Sequence, residues 1–155
     1  MSSKTTIVCM LLLMTALAGC TADAVDDTHP FAGEWTGLGG SPMVFIETSA
    51  GGCDTTWDAD LGIAVNTIDC TGAGIAGIGK TVMTWNYTFV SEVLFMQTTH
   101  TSVTDSDGNT TTTNVSNVTL CAAYVPRDIA PDEASWKAEI NAVTWPIYCT
   151  DILGI

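Results

Sequence analysis

Between residues 83 and 89 the chain reads MTWNYTF, with Met83, Trp85, Tyr87 and Phe89 alternating with Thr84, Asn86 and Thr88. A period of two puts the apolar set on one face of a β-strand and the polar set on the other. β-forming segments divided by glycine, serine, aspartate and asparagine recur along the chain. They predict strands at 34–38, 43–48, 53–58, 63–69, 81–90, 93–104 and 110–125, with a short last strand at 145–151. Asp58 to Gly62 carries turn chemistry, and a hairpin centred between Leu61 and Gly62 follows. A second hairpin is predicted at Asp107-Gly108, a pair suited to a type I′ turn. Pairing outward from it sets His100 opposite Val115 and Leu94 opposite Cys121. Only PDEASWKAEINAV breaks the β pattern. Pro131 and two acids open it, and Trp136, Ile140 and Val143 recur on one helical face.

The expected architecture is therefore all-β: an antiparallel meander barrel or sandwich of about seven or eight strands with one short C-terminal helix. Full closure would remove the edges of so threonine- and valine-rich a sheet.

The N-terminus differs from the rest. Lys4 precedes a twelve-residue apolar run, Ile7 to Ala18, too short for the roughly 20 residues a membrane-crossing helix needs. A charged start, a short apolar run and small residues after it describe a secretory signal segment. Residues 20–30, acidic and ending in proline, read as a tether, and 31–155 as a single domain.

Charge narrows the function classes. Seventeen carboxylates face four basic residues, for a net charge of −13. Nucleic acid, whose binding draws on phosphate neutralisation, is not an expected partner, and neither is an anionic lipid surface.

Beyond Cys9 and Cys20, four cysteines remain: Cys53, Cys70, Cys121 and Cys149. In an oxidising compartment an even set predicts disulfides, and three pairings exist. Cys53 and Cys70 lie symmetrically about the Leu61–Gly62 midpoint, so the hairpin would set them face to face. Cys121 would then bridge to Cys149. No C-x-x-C is present and only His29 and His100 could assist, so no zinc or other metal site is expected.

Leu17-Ala18-Gly19-Cys20 closes the apolar run and resembles the lipobox of bacterial lipoproteins. The resemblance implies cleavage after residue 19 and fatty acylation of Cys20. It also implies a chain held to the bacterial cell envelope, at the outer membrane because Thr21 rather than aspartate follows. Three acyl chains exceed what stable anchoring needs.

Gly33-Glu34-Trp35, with Phe31 just before, resembles the G-x-W signature that opens lipocalin barrels. That likeness implies that Trp35 plugs the barrel end and that an arginine, here Arg127, packs across it. It also implies an apolar cup, for which Trp35, Trp85, Tyr87 and Phe89 are the candidate lining residues. The expected role is binding of a small apolar ligand; the alternative is a structural or protein-interaction module with a filled interior, contacting an envelope protein through the Asp107 hairpin.

Other motifs mislead. Gly74 to Thr81, GIAGIGKT, fits the P-loop pattern, but the strongly β stretch after Lys80 denies it the helix a P-loop opens. No nucleotide or other cofactor is expected. Asp105, Asp107 and Asn109 copy half a calcium loop, with the glycine misplaced and Ser116 where a glutamate belongs. Catalytic signatures are absent, His29 falls in the tether, and His100 lies mid-strand. Asp58 and Asp60 share a strand face, an ordinary event in an acidic chain, and no enzymatic activity is expected.

Overall fold

The computed structural model describes residues 29–74, 77, 79–114 and 120–155. The expected signal segment, Cys20 and most of the tether lie outside these residues. Among these residues ten strands and one α-helix follow in order: β1 (Gly33–Thr36), β2 (Pro42–Phe45), β3 (Thr48–Ala50), β4 (Cys53–Asp60), β5 (Ile63–Asp69), β6 (Lys80–Val90), β7 (Val93–Thr104), β8 (Thr110–Asn114), β9 (Leu120–Pro126), α1 (Glu133–Ala142) and β10 (Asp151–Ile152). One sheet runs in the order β2-β1-β9-β7-β6-β5-β4-β3, with β8 added to β7 and β10 to β9. Every neighbour on that path is antiparallel, and only β10 pairs in parallel. It is a curled half-barrel, with its ladder open between β2 and β3.

The β4–β5 hairpin follows its expected register. Asp54 lies opposite Asp69 and Asp60 opposite Ile63, and Cys53 and Cys70, one step beyond, are disulfide-bonded with Cα atoms 4.0 Å apart. Leu61 and Gly62 turn the chain with φ of +47° and +83°, the two positive angles of a type I′ turn. Glycine adopts this freely; a leucine there is strained.

The next hairpin departs from expectation. His100 lies opposite Asn114, not Val115, and Leu94 opposite Tyr124, not Cys121. A five-residue loop, 105–109, replaces the two-residue turn at Asp107-Gly108. The cause is Asp105: its carboxylate accepts the amides of Asp107 and Asn109, each at 2.9 Å, and the Asn109 side-chain amide at 3.0 Å. Such a loop stabilises itself locally through an Asx turn. The expected single strand 110–125 is two strands, β8 and β9, which occupy successive halves of β7's free edge. Val115 and Ser116 lie outside the described residues.

A bulge interrupts the β6–β7 ladder. Thr84 faces His100 but Trp85 faces Thr98, leaving Thr99 as the extra residue. Its hydroxyl donates to the Thr84 carbonyl at 3.1 Å, satisfying a group the bulge exposes.

β7 feeds two cores. Val93 and Phe95 join Cys121, Ala123, Val125, Trp136, Ile140 and Ile152 on the helix side. Leu94 and Met96 join Phe31, Trp35, Phe45 and Ala64 on the other. α1 starts on a capping box, with the Asp132 carboxylate accepting the Ser135 amide at 2.9 Å. That bond with the Ser135 amide holds Asp132 below the usual carboxylate range. Trp136 and Ile140 are fully buried, and Trp136 Nε1 donates to the Ala123 carbonyl at 3.0 Å.

The C-terminal strand expected at 145–151 shrinks to β10. Pro146 has no amide to give a ladder, and Cys149 N instead closes a turn on the Pro146 carbonyl at 2.8 Å. Cys149 is bridged to Cys121, as expected, with Cα atoms 5.5 Å apart.

Candidate functional site

On the face of the sheet away from α1 the buried side chains are mainly aromatic. Phe45, at the end of β2, is a hub. Trp57 meets it at 5.5 Å and 83°, and Tyr124 at 5.0 Å and 90°, both edge to face. Trp85 stacks on Trp57 at 5.3 Å and 23°. Each arrives by strand alternation. Thr55, Trp57 and Ala59 turn inward on β4 while Asp54, Asp58 and Asp60 point out to solvent. Leu120, Ala122 and Tyr124 share a face of β9 opposite Cys121, Ala123 and Val125. The Thr99 bulge sets Thr98 opposite Trp85 on the same face.

These rings do not close on one another. Phe45, Trp57, Trp85, Met96, Thr98 and Tyr124, with Leu120, Ala122 and Leu153, line a cleft of about 420 Å³. A smaller cleft of about 260 Å³ adjoins it, sharing Ala122, Tyr124 and Leu153 and extending to Leu38, Ser41 and Met43. The first falls in the size range of small-molecule sites. Gly37 keeps the chain close beside it, since a Cβ there would meet the Tyr124 ring at 3.0 Å.

Electrostatically the cleft is uncharged within an acidic body. Neither lysine nor arginine lines it. Lys80 Nζ lies 3.7 Å from Asp69, and Lys137 Nζ 2.8 Å from Glu133. Glu47, in the two-residue link between β2 and β3, accepts the Trp57 amide at 3.0 Å. The expected strand 43–48 is broken there into β2 and β3. Burial pushes the Tyr124 phenol up to about 12, so the ring presents a neutral hydroxyl at ordinary pH.

Of the four expected lining residues, Trp85 reaches the cleft. Trp35 is buried, its Nε1 donates to the Phe31 carbonyl at 2.8 Å, and its ring partners are Phe45 and Phe89. Tyr87 packs edge-on against Phe31 at 5.5 Å, and Phe89, more than a third exposed, sits between Tyr87 and Trp35. These three belong to an aromatic cluster beside the cleft, not to its lining. Arg127 does come next to β1, its amide donating to the Glu34 carbonyl at 3.1 Å. His29, expected in the tether, is buried, with its ring 4.5 Å from Phe31 and 5.6 Å from Trp57. The packed domain therefore includes it.

Phe45, Trp57, Met96, Thr98 and Tyr124 are lining residues that the sequence reading missed. Trp57 was within reach, because CDTTWDAD alternates aspartates against it. Met96 was not, since β7 opens on a run buried on both faces.

The remaining motifs resolve as ordinary structure. Lys80 starts β6 instead of a helix, while Ile75, Ala76 and Ile78 of the P-loop-like stretch lie outside the described residues. The Asp105 carboxylate is engaged by its own loop, and the bonds from Asn109 hold it below the usual carboxylate range. His100 Nδ1 is 2.6 Å from Asn114 Oδ1. Among the described residues no group of three or more histidine, cysteine, aspartate or glutamate side chains is placed to hold a metal, and no helix is long and apolar enough to cross a membrane.

The class so defined is a disulfide-bridged, mostly antiparallel half-barrel with one covering helix and an aromatic cleft on its open face. The chain matches no protein-family model, and searches of curated proteins and of solved structures return no significant match.

Proposed function

We propose that this protein is a lipid-anchored component of a bacterial cell envelope, held at the outer membrane through Cys20, that binds a small apolar ligand without transforming it. The observation that carries the binding role is the cleft of about 420 Å³ lined by Phe45, Trp57, Trp85 and Tyr124. Protein interiors are normally filled to crystal-like density. An aromatic surface left open on the face opposite the packed helix-side core is the kind of site that takes a small molecule. The likeness of Gly33-Glu34-Trp35 to the lipocalin signature agrees with a carrier role, and the two disulfides suit an oxidising envelope.

Native mass spectrometry of the full chain, released gently from its host membrane, tests this reading. A carrier shows a co-retained small molecule that Trp85→Ala releases. A spectrum of bare protein, together with tryptophan emission unmoved by the neutral dye N-phenyl-1-naphthylamine, overturns it.

One observation favours the alternative, a protein-interaction module. β8 is exposed at all five positions, carries no charge or proline, and leads from the self-bonded loop at 105–109. Replacing that loop with a two-residue turn would then remove an envelope partner while leaving the fold intact.

A further inference from the structure

We infer that the ligand of the aromatic cleft carries a quaternary ammonium cation and no neighbouring anionic group. This rests on the ligand-binding reading above and refines its ligand from an apolar molecule to one that presents methyl groups on a cation.

Three observations combine. The first is ring geometry. Phe45, Trp57, Trp85 and Tyr124 all contribute to a single cleft, and Phe45 stands nearly perpendicular to both Trp57 and Tyr124. Trp85 stacks on Trp57 by one face, and among the described residues no other aromatic ring contacts it. It also lines the cleft. Aromatic rings set at steep angles around a void are the kind of surroundings that recognise a methylated ammonium. The second is charge. No lysine or arginine lines the cleft, so a carboxylate or phosphate entering it would meet no counter-ion. The protein's net charge of −13 adds a field that gathers cations and repels anions. The third is Glu47, whose carboxylate accepts the backbone amide of the lining residue Trp57 at 3.0 Å.

A neutral hydrocarbon would use only the apolar area of these rings. A fatty acid would bury its carboxylate with no partner, and a phosphocholine headgroup would bring its phosphodiester to an acidic body. A trimethylammonium group satisfies all three observations, since its methyl groups supply apolar contact and its charge suits the π-faces and Glu47. Thr98 and the neutral phenol of Tyr124 remain to bond a hydroxyl or carbonyl on the rest of the ligand.

Tryptophan emission of the full chain, titrated with three compounds, tests the inference. Choline and 3,3-dimethylbutan-1-ol share a shape and differ by one charge, while phosphocholine adds the anion of a lipid headgroup. Choline should bind about 10-fold more tightly than the neutral isostere, the ratio one well-formed cation–π site gives. Phosphocholine should be at least about 10-fold weaker than choline. The preference should persist in about 0.5 M salt, where diffuse attraction is screened within about 4 Å. Trp85→Leu, which keeps the site apolar, should bring choline down to the level of the alcohol; Glu47→Gln should weaken choline alone. Equal binding of choline and the alcohol, a preference lost in salt, or phosphocholine matching choline overturns the inference while leaving a ligand-binding cleft standing. Emission unmoved by all three and by N-phenyl-1-naphthylamine overturns the cleft reading with it. The wild-type series decides even if the variants fail to fold.

Discussion

The two faces of the sheet are built from alternate residues of the same strands and end in opposite conditions. Toward α1, Val93, Phe95, Ala123 and Val125 meet Trp136 and Ile140, with the Cys121–Cys149 bridge inside the cluster. Aliphatic groups interdigitate there, and each polar group of Trp136 has a partner. Away from α1, large rigid rings meet edge to face, and no helix among the described residues packs into that cluster. Between these rings a cleft remains open. The helix-side face holds the protein together, and the open face is free to be used.

Changes that break this contrast should rank accordingly. Trp136→Ala removes a fully buried ring and orphans the Ala123 carbonyl, costing about 4 kcal/mol. Urea unfolding measures it. Trp85→Ala, on a ring already open to the cleft, should cost only about 1–2 kcal/mol by the same assay. A larger loss from Trp85 than from Trp136 would invert the assignment of the two faces.

Replacing Cys121 and Cys149 together by alanine should cost about 3 kcal/mol, from a bridge spanning 28 positions. Because β10 pairs with β9 beside that bridge, Leu153 should loosen from the cleft as well, a change seen in backbone NMR shifts.

Alkaline pH acts on the open face. The folded state favours the neutral Tyr124 phenol, whose pKa is pushed up to about 12, whereas the unfolded phenol ionises near 10. The unfolded chain therefore holds fewer protons above pH 10, and stability falls as pH rises from about 10 to about 12, by up to about 2 kcal/mol. Urea titrations across that window should show the decline in the wild type and a smaller one in Tyr124→Phe.

The smallest expected effect is Asp132→Ala, which removes the N-cap of α1 and should cost about 1 kcal/mol in the same unfolding assay.

The sequence made the 53–70 hairpin and α1 legible for physical reasons. Aspartates alternate against Thr55, Trp57 and Ala59, glycine follows the midpoint, and two cysteines fix the register. Two acids after Pro131 and the spacing of Trp136 and Ile140 likewise marked a helix start and a helical face, although Val143, expected on that face, is extended and ends the helix. The 105–109 loop was misread because Asp105 acts through hydrogen bonds to residues two and four positions on, which outweigh the preference of Asp107-Gly108 for a tight turn. The Thr99 bulge has no marker among uniform threonines, yet it decides that Thr98 faces the cleft. For the candidate site, alternation pointed to Trp85 but could not distinguish it from Tyr87 and Phe89 on the same face. What separates them is which neighbours arrive from distant strands. Phe31 and Trp35 cover Tyr87 and Phe89, while Phe45 and Tyr124 stand off from Trp85.

The most direct test of a used face set against a structural one is the affinity of N-phenyl-1-naphthylamine for the wild type and for Trp85→Ala. The dye should bind the wild type and lose at least about 10-fold in affinity with the variant, whose thermal midpoint stays within a few degrees. Undiminished binding by a folded Trp85→Ala protein would contradict the assignment of the ligand to the cleft.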